Sequence, residues 1–435
     1  MAALDRRDFL SAVTAGAVAA GAGFKAPTAR IVGANDRVVI GAIGIGRQGS
    51  SDLRAFLKQP DVTVAALCDV YQPALEAAGK LAPAAVKVRD AREIFDNKDI
   101  DVVLVGSPDH WHPLHTILAC RAGKDVYVEK PVSVTIAEGR KMVEAARKYQ
   151  RVVQVGTQQH SGVHFKKAAD IIHSGVLGKI ALVRAWHYSN DFPDGIGDPP
   201  DSEPPAGLDW DLWLGPAPLV PFNANRFGVA PNRWSTFRYF WDYAGGVMTD
   251  MGVHAFDIIQ WAMKVEAPLA VGASGGKFAL RDNRQTPDLL QVTFEYPEFV
   301  CVYENRIVNR DPLNGRTAGI CFYGVNGTLT VNPSGYEVVT EGGQPLPGAG
   351  SEKVSGEQHV AHVRNFVDCV KSRGFPVADI EVGHRASSAC HLANIAYRSG
   401  GKIRWDAKKE RILDDRSKAS KYLTRTYRKP WKLEV

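Results

Sequence analysis

The chain has 435 residues, 45% of them hydrophobic and 23% charged. That composition excludes a disordered or collagen-like protein, and the length exceeds a single small module, so two packed domains are expected. A formal charge of +6, with no basic stripe interleaved with aromatic residues and no zinc-knuckle spacing, argues against nucleic acid as a partner. Six widely separated cysteines, Cys68, Cys120, Cys301, Cys321, Cys369 and Cys390, sit mostly in apolar runs and read as buried thiols without a metal or redox pair.

The N-terminus reads as an address. Asp5-Arg6-Arg7-Asp8-Phe9-Leu10 precedes a small-residue, uncharged stretch over 11–24, which resembles a twin-arginine export signal. At about 14 residues the stretch is shorter than the ~20 needed to span a bilayer, so no permanent membrane anchor is expected. Residues 1–33 are assigned to signal and linker. They hold four basic against two acidic residues, leaving +4 on the remainder. The implied route is export to the periplasm after folding in the cytoplasm.

Residues 34–156 read as a nucleotide-binding domain. The β-branched run Arg37–Ile43 leads into Gly44-Ile45-Gly46-Arg47-Gln48-Gly49 and a helix-like segment 50–59, which is G-x-G-x-x-G between strand and helix. Gly44 permits the tight turn, Gly46 admits a pyrophosphate to the backbone, and Gly49 lets helix and strand pack closely, with the phosphates on the helix N-terminus. A second strand, 62–69, ends in Asp69, twenty residues after Gly49. Asp69 is placed to accept from the adenosine ribose hydroxyls and to repel a 2′-phosphate, favouring NAD over NADP; its alternative is a turn or cap residue. Strands at 101–106, 125–128 and 152–155 alternate with helices at 74–81, 114–122 and 136–149. This predicts a doubly wound parallel sheet with ligands at the strands' carboxyl ends. Two loops leave those ends, Ser107-Pro108-Asp109-His110-Trp111-His112 and Glu129-Lys130-Pro131. His110, His112 and His115 read as cofactor-facing polar groups or helix caps rather than metal ligands.

Residues 157–400 read as an α+β substrate and oligomerisation domain. A helix over 163–174 and a strand over 180–188 precede a long loop, 189–243, with Trp210, Trp213, Trp234, Trp241 and Tyr243, aromatic faces for sugar rings or for packing within the loop. Alternating runs at 269–280, 287–296, 299–308, 317–323 and 327–332 predict a large open antiparallel sheet. Asp250, His254 and Asp257 follow Gly245-Gly246. On one continuous helix Asp250 and His254 would be i, i+4 neighbours, an acid that fixes an imidazole for general-base work; the alternative is a structural helix histidine. Residues 401–435 form a charged tail, a candidate strap over a domain or a neighbouring subunit.

The glycine motif, Glu129-Lys130-Pro131 and Asp250-x-x-x-His254, in that order, resemble the Gfo/Idh/MocA oxidoreductases over nearly the whole chain after the signal. The resemblance implies that His254 takes a proton from a sugar or polyol hydroxyl while hydride leaves its carbon for a nicotinamide, and that Lys130 polarises the oxygen or relays the proton. It implies a catalytic set of Lys130, Asp250 and His254, joined at the substrate by His187 and Trp241. It also places Gly44, Ile45, Gly46, Arg47, Gly49, Asp69, Ser107, Pro108, His110, His112, Glu129, Lys130 and Gln158 around the cofactor. His384 and Arg385 either approach this site or start a helix. The expected activity is NAD-dependent oxidation of a secondary hydroxyl of a sugar, glycoside or polyol, with the cofactor held tightly and the chain a homo-dimer or homo-tetramer. The alternatives are glycoside cleavage by transient oxidation and elimination, or a non-catalytic sugar or NAD sensor.

Overall fold

The computed structural model describes residues 37–228, 235–347, 349–354, 356 and 358–435; the export signal and Trp234 lie outside the described residues. The first domain alternates strands β1 (Val38–Ile43), β2 (Val62–Cys68), β3 (Val86–Val88), β4 (Val102–Val105), β5 (Asp125–Val128) and β6 (Val153–Val155) with helices α1 (Arg47–Leu57), α2 (Gln72–Gly79), α3 (Ala91–Asp96), α4 (His112–Arg121) and α5 (Ile136–Lys148). All its strand pairs are parallel, in the order β3-β2-β1-β4-β5-β6. Every residue of β4, β5 and β6 is buried, as a parallel sheet covered on both faces requires. α5 starts at the sequence Thr135-Ile136-Ala137-Glu138, where the Thr135 amide donates to Glu138 Oε2 at 2.8 Å, one half of a capping box.

The second domain opens with α6 (Val163–His173) and β7 (Ile180–Tyr188). Among the described residues, the long insertion after β7 contains only short helices, α7 (Trp210–Leu214) and α8 (Ala224–Phe227) among them, before α9 (Gly246–Asp250) and α10 (Gly252–Met263). Strands β8 (Ala270–Gly276), β9 (Leu289–Glu295), β10 (Val300–Arg306), β11 (Ala318–Gly324), β12 (Thr328–Asn332), β13 (Gly335–Val339) and β14 (Glu352–Lys353) follow, then α11 (Gln358–Ser372), α12 (Ile380–Ser399), β15 (Ile403–Asp406) and β16 (Arg411–Leu413). The ten strands form one sheet, β14-β13-β12-β11-β7-β10-β9-β8-β15-β16. β9 and β10 alternate buried with less buried positions, so one face carries the core, under α6, α10 and α12.

Two expectations change here. The sheet is mixed, because β7 and β10 run parallel at its centre; β7 enters before the insertion, and the chain returns in the same direction only after α9, α10 and two further strands. Residues 401–435 are not wholly a tail: β15 and β16 extend the sheet beyond β8, and α11 leaves the second domain to pack on the first. Val363, Phe366, Val367 and Val370 of α11 join the core of β1, β2 and α1. Phe56, Tyr127 and Phe366 meet edge-to-face with centroids 5.5–6.1 Å apart, and Asp61 is held by Arg364 and Lys371. All six cysteines are buried free thiols. Among the described residues, no helix is long and apolar enough to cross a membrane.

Phe366 therefore clips the two domains together. Phe366→Ala should cost ~3–5 kcal/mol, the range for a buried aromatic truncated to a cavity, read as a lowered denaturation midpoint in urea.

Candidate active site

The glycine loop takes its shape from backbone crowding. Gly44 has φ +73°, and a Cβ there would lie 2.3 Å from the Ser107 backbone; one on Gly49 would lie 2.1 Å from the Gly44 carbonyl oxygen. Only glycine lets β1, α1 and the loop after β4 approach this closely. A Cβ on Gly46, by contrast, would meet nothing within 4 Å, so space opens over the start of α1, where no side chain caps the helix and no acid occupies its first turn. A positive helix end beside open space fits a pyrophosphate.

This space is part of a cleft of about 740 Å³. Gly44, Ile45, Gly46, Arg47, Asp69, Ser107, Pro108, His112, Glu129 and Lys130 all line it, as do Asp109, Trp213, Arg238 and Trp431. Asp69 does double service: Oδ2 accepts from the Ile45 amide at 3.0 Å and Oδ1 from the Tyr71 amide at 2.9 Å, tying the glycine loop to the end of β2. Burial raises its carboxyl to about 6. The residues present fit a dinucleotide, with the glycine loop and α1 for the phosphates and Asp69 at the adenosine end.

The histidines after β4 point three ways. His112 lies 2.7 Å from the carbonyl oxygens of both Ser107 and Pro131, tying the loop after β4 to the loop after β5. His115 Nδ1 meets Ser107 Oγ at 3.0 Å. His110, expected at the cofactor, is turned inward, its Nε2 3.0 Å from the Trp213 carbonyl oxygen and its ring against Trp213 and Tyr243. Burial drives all three down, His112 to about 4 and His115 to about 3. Among the described residues, no group of three or more His, Cys, Asp or Glu side chains could hold a metal ion.

From the cleft wall, Lys130 Nζ donates to Asp250 Oδ1 at 2.6 Å and to the Asp250 carbonyl oxygen at 2.7 Å. Arg238 Nε donates to the same Oδ1 at 3.0 Å. Burial alone would raise Asp250; the Arg238 and Lys130 charges outweigh it and hold the carboxyl well below its ordinary range. Asp109 carries a buried, unpartnered Oδ2, and burial raises it to about 7. His254 is pushed down to about 3 by burial and by Lys130, and His187 is lowered by burial. Both imidazoles are therefore neutral beside a cationic network, and the Nδ1 of each is buried without a partner.

Several sequence expectations are rearranged. Asp250 and His254 do not share one helix, because the chain breaks at Met251 between α9 and α10; Asp250 turns to the cations instead of to the imidazole. Asp257 leaves the set and meets His160 Nδ1 at 3.0 Å. Gln158 donates to Glu129 Oε1 at 2.8 Å, behind the cleft wall. Trp241 stands apart, its ring under Arg398 at 4.7 Å. Trp210 and Trp213 stack on each other at 4.7 Å, inside a cluster that fills the insertion. His384 meets Glu410 at 2.7 Å within a structural ion-pair group. Arg238 was not singled out, and no local spacing marks it: it sits in a short turn of the insertion and reaches Asp250 through the fold.

Comparison with known proteins places both domains. Residues 38–157 match the family model described as "Oxidoreductase family, NAD-binding Rossmann fold", and residues 161–282 match "Oxidoreductase family, C-terminal alpha/beta domain". Inositol 2-dehydrogenase of Salmonella typhimurium is 32% identical over 152 residues, which are 34% of this chain and 45% of that protein; the chain thus spans about half the length of this curated relative. Among solved structures, levoglucosan dehydrogenase in complex with NADH and levoglucosan superposes with a TM-score of 0.64 at 16% identity, covering 85% of this chain and 99% of that one. Aldose-aldose oxidoreductase from Caulobacter crescentus, complexed with glycerol, gives 0.63 at 19% identity, covering 85% and 99%. The glycine loop, the Lys130–Asp250 cluster and both model matches lead to one assignment: the chain belongs to the Gfo/Idh/MocA oxidoreductases, with an NAD-binding Rossmann domain.

Proposed function

We propose that the chain oxidises a secondary hydroxyl of a sugar, glycoside or polyol at a tightly held NAD, and that it does so after export through the twin-arginine route. The observation that carries the reading is that Lys130 and Arg238 line the same cleft as the glycine loop and are joined to each other through Asp250. Relatives named for inositol, levoglucosan and aldoses support the substrate class.

The bound nicotinamide supplies the hydride acceptor. Everything else falls to the chain. Lys130 hydrogen-bonds the substrate oxygen and stabilises the negative charge that gathers on it. His254, neutral because burial and Lys130 disfavour its cation, is free to take the hydroxyl proton. Asp250 holds Lys130 in place, and Arg238 offsets the carboxylate so that the cluster as a whole is cationic.

Retention of cofactor has a candidate in the last thirteen residues. Arg425 donates to Glu138 at 2.6 Å and to the Asp242 and His110 carbonyl oxygens at 3.0 Å, and the Tyr427 hydroxyl donates to Glu138 at 2.6 Å. Arg428 donates to the Gly215 carbonyl oxygen at 2.9 Å. Trp431 then stands edge-on to Trp111 at 4.8 Å and walls the cleft, while Leu433 and Val435 pack on the first domain. This segment straps the insertion to the nucleotide domain beside the cleft.

Three outcomes are expected. Lys130→Met and His254→Asn should each lower kcat by ~10²–10⁴-fold while NAD remains bound; a sensor would keep full sugar binding and show no turnover to lose. NAD should survive desalting of the wild type, and Trp431→Ala should raise its dissociation rate about tenfold, the equivalent of ~1.4 kcal/mol of lost contact, measured by stopped-flow fluorescence. The oxidation rate should rise through about pH 7 as Asp109 ionises, because added negative charge favours proton uptake by the base; Asp109→Asn should flatten that limb of the kcat/KM profile.

A further inference from the structure

The insertion that brings Arg238 to the cleft is gripped from behind by one loop of the sheet domain, residues 277–288 between β8 and β9. Arg284 and Asp282 of that loop form an ion pair with both side chains fully buried, Arg284 Nε donating to the two carboxylate oxygens at 2.9 and 2.7 Å. Asp282 Oδ2 also accepts from the Ile196 amide at 2.8 Å, and Arg284 Nη2 donates to Asp191 Oδ2 at 3.3 Å. The pair thereby holds the start of the insertion. The approach is close: a Cβ on Gly195, whose φ is +56°, would lie 2.2 Å from Asp282 Oδ2.

The same loop holds the end of the insertion. The Arg284 guanidinium lies over the Tyr239 ring, 4.4 Å from its centroid. The Tyr239 carbonyl oxygen accepts from the Gln285 and Thr286 amides at 2.9 and 3.2 Å, and Gln285 Oε1 accepts from the Trp241 amide at 2.9 Å. Tyr239 closes a 3₁₀ turn over Thr236–Tyr239, in which successive side chains diverge by about 120°. Each has its own anchor. Thr236 Oγ1 donates to the Asn225 carbonyl oxygen at 2.7 Å, Phe237 enters the aromatic cluster of the insertion, and Tyr239 rests on Arg284. Arg238 is directed to Asp250, its Nε 3.0 Å from Oδ1.

Packing alone does not call for the buried pair. The insertion has an apolar core of its own, and apolar residues of similar volume stabilise a fold as well as a buried ion pair does. What the pair supplies is direction. A guanidinium is planar and always charged, so its edge can bond two carboxylates while its face carries an aromatic ring. Tyr239 is fixed in place and in orientation, and with it the backbone from which the Arg238 side chain leaves.

We propose that Arg284 is a positioning residue for the reaction, acting through Tyr239 to hold Arg238 on Asp250; the proposal rests on the oxidoreductase reading above. Asp282 and Asp191 orient the guanidinium, and the Tyr239 ring transmits its position to the turn. Were the turn to shift by about an ångström, Arg238 would leave Asp250, and the cluster around that carboxylate would lose one of its two cations.

The test has two arms on the full-length chain. The first needs no turnover. The Arg238 Nε–H, bonded to Asp250, should give a slowly exchanging signal in ¹⁵N-resolved NMR spectra, assigned by its loss in Arg238→Met. In Arg284→Met that signal should lose its protection from solvent exchange. The same loss is expected in Tyr239→Leu, which leaves the ion pair intact where truncating Arg284 prevents folding. An unchanged Arg238 signal in these variants overturns the proposal, whatever the chain proves to oxidise. The second arm follows sugar oxidation. Arg284→Met and Arg238→Met should each lower kcat by ~10–100-fold, the first with NAD affinity unchanged, and the double variant should be no slower than Arg238→Met, since the two act as one unit. Tyr239→Phe, which keeps the ring, should retain the wild-type rate, and Tyr239→Leu should not. Losses that multiply in the double variant, or a lowered melting temperature with wild-type kcat, make Arg284 a stabilising residue only and overturn its positioning role. A chain that oxidises no sugar sinks the oxidoreductase reading instead and leaves the NMR arm to decide whether Arg284 places Arg238.

Discussion

The contact on which the site depends is the Lys130–Asp250 ion pair, because it is made across two domains by groups that could not be buried singly. Its side chains are 9% and 13% exposed. Desolvating a lone ammonium or carboxylate costs several kcal/mol, and close pairing recovers that only when the remaining hydrogen-bonding capacity is also filled. Here Lys130 donates twice to Asp250, to carboxylate and to backbone, and Arg238 supplies the carboxylate with a second cation. The pair therefore fixes where α9 ends relative to the loop after β5. Lys130 cannot be held in this position unless the second domain is docked.

The remaining architecture serves that docking. α11 leaves the sheet domain to complete the core under β1 and β2. Glu138 works twice, one carboxylate oxygen starting α5 and the other receiving Arg425 and Tyr427 from the end of the chain. Ordering the last segment costs backbone entropy of ~1–2 kcal/mol per residue, which short charge-assisted bonds and the packing of Trp431, Leu433 and Val435 offset. An interface built from three separate stretches of sequence is one that domain motion would have to break at several points together.

Legibility in the sequence followed the range over which each signal acts. The glycine loop, the burial of β4 to β6 and the start of α5 are set by neighbours a few residues apart, and their residues and spacing were enough to locate them. β7 was located to the residue, yet its parallel pairing with β10 was not, since pairing partners more than a hundred residues apart leave no local trace. The same limit explains the site. Lys130 and Asp250 stood out as members of motifs, whereas Arg238 and Trp431 have ordinary surroundings in the chain and acquire their positions only through the fold. His110 illustrates the opposite error: a polar residue in a cofactor loop invites a cofactor role, but a 3₁₀ turn over Asp109–Trp111 rotates successive side chains apart, and His110 falls on the side facing the insertion. Asp250 and His254 fail as an i, i+4 pair for a comparable reason, because that relation needs an unbroken helix and Met251 interrupts it.

That interruption suits the chemistry proposed for this site. Had Asp250 been bonded to His254, its negative charge would have stabilised the imidazolium and kept the ring protonated nearer neutral pH. With the carboxylate turned to Lys130 and Arg238, the cationic side of the network faces the imidazole and burial keeps it neutral. A base that begins neutral among positive charges holds its proton weakly after taking it, so the proton has to move on for the next hydroxyl to react. In the proposed reaction, then, the arrangement that leaves His254 neutral enough to accept a proton also keeps it from retaining one.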